Sequence, residues 1–196
     1  MQRPEEPPLV GTGGGGTHGF SEEASGDDEL MALAGGGSER AFDALVRRHQ
    51  ARVLRLAHRY LGDSALAADV AQNTFVALFR SRAEYRPSGR FCAYLYRLVL
   101  NQCRMARRSK GNRLRVLIEM RDFSVTPEYT MPRERPRDLE AALGELSEKL
   151  REVVILRFCA EQSYEEIAEA LDLPTGTVKR RLFDAMAKLR ARLEER

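Results

Sequence analysis

The chain carries only three cysteines, Cys92, Cys103 and Cys159, and none forms a Cys-x-x-Cys pair. That excludes a disulfide framework and a cysteine-built zinc site. Cys92 and Cys159 stand among apolar neighbours and are expected to be small buried thiols. His18, His49 and His58 fall in no metal-ligand spacing, so no metal and no cofactor is expected. Tryptophan is absent too, which excludes nothing. No run of 18 apolar residues occurs, so no transmembrane span is expected. The opening Met-Gln-Arg-Pro-Glu-Glu lacks the apolar core of a secretory signal, and the sequence reads as that of a cytoplasmic protein. No glycine-rich nucleotide loop opens a helix, because Gly13 to Gly16 lie in a polar stretch. Without a nucleophile–base set either, no catalytic residue and no enzymatic activity is expected.

What is present is helix and charge. Apolar residues make up 43% and charged residues 31%, with a net charge of +3. The charge is unevenly spread. Residues 1–29 hold Arg3 alone against Glu5, Glu6, Glu22, Glu23, Asp27, Asp28 and Glu29. Residues 80–115 reverse the balance, with Arg80, Arg82, Arg86, Arg90, Arg97, Arg104, Arg107, Arg108, Lys110, Arg113 and Arg115 against Glu84. A block of that sign attracts polyanions, and phosphate contacts dominate nucleic-acid affinity. Taken alone, it is equally a solvated basic face.

Residues 1–26 are rich in glycine, proline and acids and predict a disordered tail. Helical periodicity begins at Asp27 and breaks at Gly35 to Gly37. Ser38 then caps a long helix whose stripe is Phe42, Leu45, Val46, Val53, Leu56, Ala57 and Tyr60, ended by Gly62. A third helix, 64–82, turns Leu66, Val70, Phe75, Leu78 and Phe79 inward. Pro87 and Gly89 mark 84–90 as a loop, and a fourth helix from Phe91 to about Lys110 buries Leu95, Leu98 and Val99. Residues 111–137, with Pro127, Pro132 and Pro136, read as a linker, within which the apolar piece Leu114 to Met120 either continues as helix or packs on a neighbour. A second helical domain, 138–196, opens with the stripe Leu139, Ala142, Leu143, Leu146. Ser147 caps the next helix, and Ser163-Tyr164-Glu165-Glu166 has the form of a capping box. No strand pattern is convincing. The expected fold is all-α: two small helical domains, 27–110 and 138–196, joined by a flexible linker.

The segment 163–193 has the dimensions of a helix-turn-helix. Val178, Leu182, Ala185, Met186, Leu189 and Leu193 form the buried stripe of its second helix. Thr177, Lys179, Arg180, Phe183 and Asp184 lie on other faces, where recognition helices touch DNA. Phe183 suits either a thymine methyl or packing on the preceding helix.

Several motifs in order then resemble the extracytoplasmic-function group of bacterial sigma factors. They are Asp69-Val70-Ala71-Gln72-Asn73-Thr74-Phe75, the stretch Tyr85 to Asn101 with Phe91-Cys92-Ala93-Tyr94-Leu95-Tyr96-Arg97, Ser163 to Ala168, and Gly176-Thr177-Val178-Lys179. The match spans about 27–110, as sigma region 2, and 138–194, as region 4. The resemblance implies that Asp69, Gln72 and Asn73 dock on the clamp helices of the largest subunit of core RNA polymerase, with the flap of the second-largest subunit as a further contact. The family often has an acid where Asn73 stands. It implies that Tyr85, Arg90, Phe91, Tyr94, Arg97, Asn101 and Arg104 capture a flipped base and strand phosphates of the promoter −10 element; Tyr94 replaces the usual tryptophan, and for Phe91 and Tyr94 core packing is expected to account for part of the role. Thr177, Lys179, Arg180 and Phe183 would read the −35 element, and Asp184 departs from the basic residue of some relatives. A larger sigma factor's third region is missing. An anti-sigma protein, membrane-bound in some relatives, is a possible partner. The chain stops soon after region 4, so no appended sensory domain is expected. The rivals are a dimeric helix-turn-helix repressor or activator on a palindromic site, and a helical adaptor that binds only protein.

Overall fold

The structure, a computed structural model, describes residues 25–119 and 137–194. All regular structure among them is helical: α1 (Asp27–Gly35), α2 (Glu39–Leu61), α3 (Ser64–Arg80), α4 (Phe91–Glu119), α5 (Arg137–Glu145), α6 (Glu148–Phe158), α7 (Tyr164–Leu171) and α8 (Thr175–Glu194). Residues 1–24 of the expected acidic tail and most of the expected linker lie outside the described residues.

Local chemistry sets the helix starts. Asp27, Asp28 and Glu29 fill the first turn of α1, where carboxylates oppose the helix dipole. The Ser38 hydroxyl accepts from Ala41 N at 3.3 Å and the Asp63 carboxylate from Leu66 N at 3.1 Å. Before α7 both arms of the capping box close: Ser163 N donates to the Glu166 carboxylate at 2.7 Å, and Glu166 N to Ser163 Oγ at 3.2 Å. Ser147 differs. It precedes α6 without a side-chain cap bond.

Helices α1 to α4 form one bundle around Leu30, Leu45, Leu56, Leu78, Leu95, Tyr96 and Leu100, all buried. Where the end of α1 meets the turn after α3, a Cβ on Gly35 would stand 2.6 Å from the Arg82 carbonyl oxygen. Only glycine permits that approach. Helices α5 to α8 form a second bundle around Leu143, Val153, Ile155, Leu156, Ile167, Val178 and Ala185. Buried Arg151 organises it, donating to the carbonyls of Leu143 (2.6 Å), Gly144 and Leu146 (2.8 Å). It thereby satisfies the orphan acceptors at the end of α5.

Several sequence expectations need correction. Phe79 and Met186 lie about 100° round their helices from buried Leu78 and Ala185, and both are exposed. Phe79 instead meets the edge of Phe42 at 5.0 Å, with the Arg82 guanidinium 3.6 Å above its ring. Leu139, at the first turn of α5, is exposed as well. Helix α3 ends at Arg80, and α4 runs nine residues past Lys110 to Glu119, the helical alternative for the start of the linker. The fully buried thiol is Cys103; Cys92 and Cys159 are half-buried.

Candidate nucleic-acid interfaces and docking face

The 81–90 segment and the start of α4 enclose an open cleft of about 420 Å³ lined by Ser81, Tyr85, Arg90, Tyr94, Arg97 and, from the second bundle, Glu169. Its aromatic wall is Tyr85 beside Tyr94, ring centroids 5.3 Å apart. Each ring is pinned by its hydroxyl: Tyr94 donates to Ser81 Oγ at 2.7 Å and Tyr85 to Asp28 at 2.8 Å. Phe91 does not face the cleft. It is buried behind Tyr85, 6.1 Å between centroids, and beside His49 at 5.3 Å. As the first residue of α4 it points into the bundle, so its expected contact with nucleic acid is replaced by a supporting one.

Asp28 holds the loop. Its carboxylate accepts from the Tyr85 hydroxyl, Ser88 N (2.8 Å), Gly89 N (3.1 Å) and Phe91 N (3.4 Å). Gly89 sits at φ +73, a conformation that presents successive N–H groups to one anion. Burial pushes the Asp28 carboxyl upward, yet the Ser88, Tyr85, Gly89 and Phe91 donors outweigh it and hold the group below its ordinary 3.8.

The basic face of α4 is not open to solvent along its length. Arg90 pairs with the Glu169 carboxylate at 2.8 Å. Arg97 donates to the main-chain carbonyls of Glu169 (2.8 Å) and Ala170 (3.4 Å), in the last turn of α7. Arg104 reaches Glu152 at 2.6 Å, Glu148 at 3.3 Å and Asn101 Oδ1 at 2.9 Å. The bond to Glu152 outweighs burial and raises the Arg104 guanidinium above its ordinary value. Asn101 is exposed and oriented by that arginine.

On α8, Lys179, Arg180, Phe183 and Asp184 are exposed and Thr177 half-buried. Phe183 is 74% exposed, which removes the packing alternative for its ring. Lys179 Nζ lies 5.5 Å from the Tyr164 ring centroid. On α3, Asp69, Gln72 and Asn73 are all exposed on one outward face. Asp69 and Asn73 also border a second cleft of about 630 Å³ with Asp63, Gln102, Met105 and Lys110. Met105 is 61% exposed there.

One cluster escaped the sequence spacing. Ligand-type atoms of Asp27, His49 and Cys92 lie within 4.8 Å of one another. The Asp27 carboxylate already accepts from Arg48 at 2.6 Å and meets His49 Nε2 at 2.9 Å. Burial together with Asp27 pushes the Cys92 thiol up to about 11, so it is a neutral thiol. The cluster ties α1 to α2 and α4.

Comparison with known proteins resolves the family. Residues 45–113 match the model of sigma-70 region 2, and residues 137–189 that of sigma-70 region 4. The RNA polymerase sigma-H factor of Pseudomonas aeruginosa is 31% identical over 172 residues, 81% of this chain and 89% of that protein. The chain belongs to the extracytoplasmic-function sigma-70 factors. The ECF sigma factor SigE of Mycolicibacterium smegmatis is 35% identical over 176 residues, 87% of this chain and 68% of that one. Among solved structures, CnrH in complex with the cytosolic domain of CnrY superposes with a TM-score of 0.67 at 30% identity, covering 86% of this chain and 97% of that one. Bartonella quintana RpoE, bound to the anti-sigma factor NepR, shares the fold (TM-score 0.63, 21% identity, 78% of this chain and 96% of that one).

Within this sigma factor, the first bundle carries the region 2 match and the second the region 4 match. The structure gathers Tyr85, Arg90, Tyr94 and Arg97 at one cleft. Arg104 and Asn101 lie further along the same helix, and the α8 residues form a separate patch. Sequence reasoning missed Asp28, Ser81, Glu152 and Glu169. Asp28 was legible only as a helix-start acid, since its partners stand 57 to 63 positions away. No helix among the described residues is long and apolar enough to cross a membrane.

Proposed function

We propose that this sigma factor directs core RNA polymerase to a two-part promoter and opens it. The α3 face of Asp69, Gln72 and Asn73 docks on the clamp helices of the largest subunit, and region 4 meets the flap of the second-largest. Helix α8 enters the major groove at the −35 element with Thr177, Lys179, Arg180 and Phe183 toward the bases and phosphates. The cleft beside α4 takes a base flipped from the −10 strand. An anti-sigma protein is the regulator this reading expects; the solved structure of CnrH holds the cytosolic domain of CnrY, and that of RpoE the anti-sigma factor NepR.

The observation that carries this reading is the cleft itself. Tyr85 and Tyr94 offer a stacking wall held rigid by the Asp28 and Ser81 bonds. Arg90 and Arg97 stand at the rim for phosphates. Stacking on aromatics is worth about 1–3 kcal/mol per base, enough to offset the few kcal/mol of unstacking. Run-off transcription with purified core polymerase over a promoter library tests it. Transcripts are expected from templates sharing a −35 and a −10 element. Failure to associate with polymerase, together with tight dimeric binding to an inverted repeat, refutes it in favour of a repressor or activator.

A further inference from the structure

Three side chains that the proposed function leaves idle converge where α1, α2 and α4 meet. Asp27 opens α1, His49 stands mid-way along α2, and Cys92 is the second residue of α4. His49 Nε2 lies 2.9 Å from Asp27 Oδ2 and Cys92 Sγ 3.9 Å from the same oxygen, with all three atoms within 4.8 Å of one another. Bonds of about 2.0–2.3 Å to one tetrahedral zinc-type ion would set such atoms roughly 3.3–3.6 Å apart, within reach of small side-chain rotations. Arg48 takes Asp27 Oδ1 at 2.6 Å and leaves Oδ2 turned to the histidine and the thiol. The His49 side chain is only 5% exposed. Cys92 is half-buried, so an ion can arrive from solvent on the sulfur side.

We propose that Asp27, His49 and Cys92 form a binding site for one divalent cation of the zinc class, with water in the fourth position. One thiolate, one imidazole and one carboxylate make a donor set that suits zinc and not magnesium or calcium, which take oxygen alone. As the sulfur–metal bond forms, the Cys92 thiol gives its proton to solvent and no electron is transferred. The thiolate and the Asp27 carboxylate then neutralise the ion between them. Both anions lie in the first turn of a helix, where the helix dipole favours negative charge. Arg48 stays on Oδ1 as the outer partner that orients the carboxylate. The site adjoins the −10 loop through the chain: Asp28 follows Asp27, and Phe91, whose N–H donates to Asp28, precedes Cys92. Bound metal thus braces the starts of α1 and α4 behind Tyr85.

Cobalt(II) is the probe, because a cobalt–thiolate bond gives a charge-transfer band in the near ultraviolet. The full chain, stripped of metal with a chelator and kept reduced, is titrated with cobalt. The band is expected to saturate at one ion per chain, to be bleached by zinc and to withstand excess magnesium. Cys92→Ser should abolish it, while Cys159→Ser keeps it. His49→Gln and Asp27→Asn should each weaken binding more than about 100-fold, beyond the 10–100-fold of an outer partner. Zinc at about a hundredfold excess over its Kd should raise the melting temperature of the wild type by about 5–10 °C and leave that of Cys92→Ser unmoved. Should circular dichroism show that the serine variant unfolds, Cys92→Ala takes its place under the same criteria. No band in the wild type, a band that persists without the Cys92 sulfur, or displacement by magnesium overturns the proposal. None of these readings involves polymerase or promoter, so the metal site and the sigma function stand or fall separately.

Discussion

Replacing Asp28 by alanine should loosen the −10 loop more than it harms the helix that bears it. The carboxylate receives four donors, three of them main-chain N–H groups at 2.8, 3.1 and 3.4 Å and one the Tyr85 hydroxyl at 2.8 Å. A hydrogen bond to a charged group contributes about 1.5–3 kcal/mol. Asp28 is half-exposed, so water replaces much of what is lost, and the net cost is expected at roughly 2 kcal/mol rather than the sum. Asp28→Asn keeps an acceptor without the charge and should cost about half as much. For a bundle of this size, 2 kcal/mol lowers the melting temperature by roughly 10 °C. The pH dependence has a definite sign. Because the folded-state pKa lies below the ordinary 3.8, the contribution is whole above that value and lost as pH falls through the lowered one. Urea titrations of wild type and both variants at pH 7 and across pH 2–5 read all of this. Equal midpoints for wild type and Asp28→Ala, or an acid limb equally steep in both, would refute the idea that this carboxylate holds the loop.

Gly35→Ala should destabilise the first bundle by about 1–3 kcal/mol, because the new Cβ meets the Arg82 carbonyl oxygen at 2.6 Å; an unchanged urea midpoint would deny the close approach. Arg151→Ala should cost about 3 kcal/mol or more, since it strands the carbonyls of Leu143, Gly144 and Leu146 and opens a cavity. A loss under 1 kcal/mol in thermal melts would show that water substitutes freely. Asn101→Ala should slow open-complex formation, read by permanganate footprinting, while leaving core-polymerase binding intact; normal melting would remove Asn101 from base capture. Arg180→Ala should lower transcription from strong −35 elements about tenfold, in line with one good base or phosphate contact, and an unaltered promoter ranking would move that residue out of the groove.

Helix starts, the capping box at Ser163 and Glu166, and the order of the motifs were legible because each is a local pattern with a local cause. Periodicity also found most of both cores. It failed where a residue sits at the edge of a stripe: Phe79 and Met186 are one step past buried Leu78 and Ala185, and neighbouring helices decide which side such a residue takes. Phe91, read as part packing and part nucleic-acid contact, is buried for a related reason. At a loop–helix junction the direction of a ring is set by what lies behind it, here Tyr85 and His49. Least legible were the long-range partners. Nothing near Arg104 in sequence announces Glu152, 48 positions on, and no spacing rule pairs Asp27, His49 and Cys92.

The grip on Arg97 has a property the other two lack. Its acceptors belong to the peptide backbone of residues 169 and 170, so no side-chain replacement at those positions deletes them. Drift in sequence at the end of α7 can retune Arg90 through position 169 while the Arg97 anchorage persists for as long as the helix ends where it does. Inheritance of that contact is therefore tied to where one helix stops.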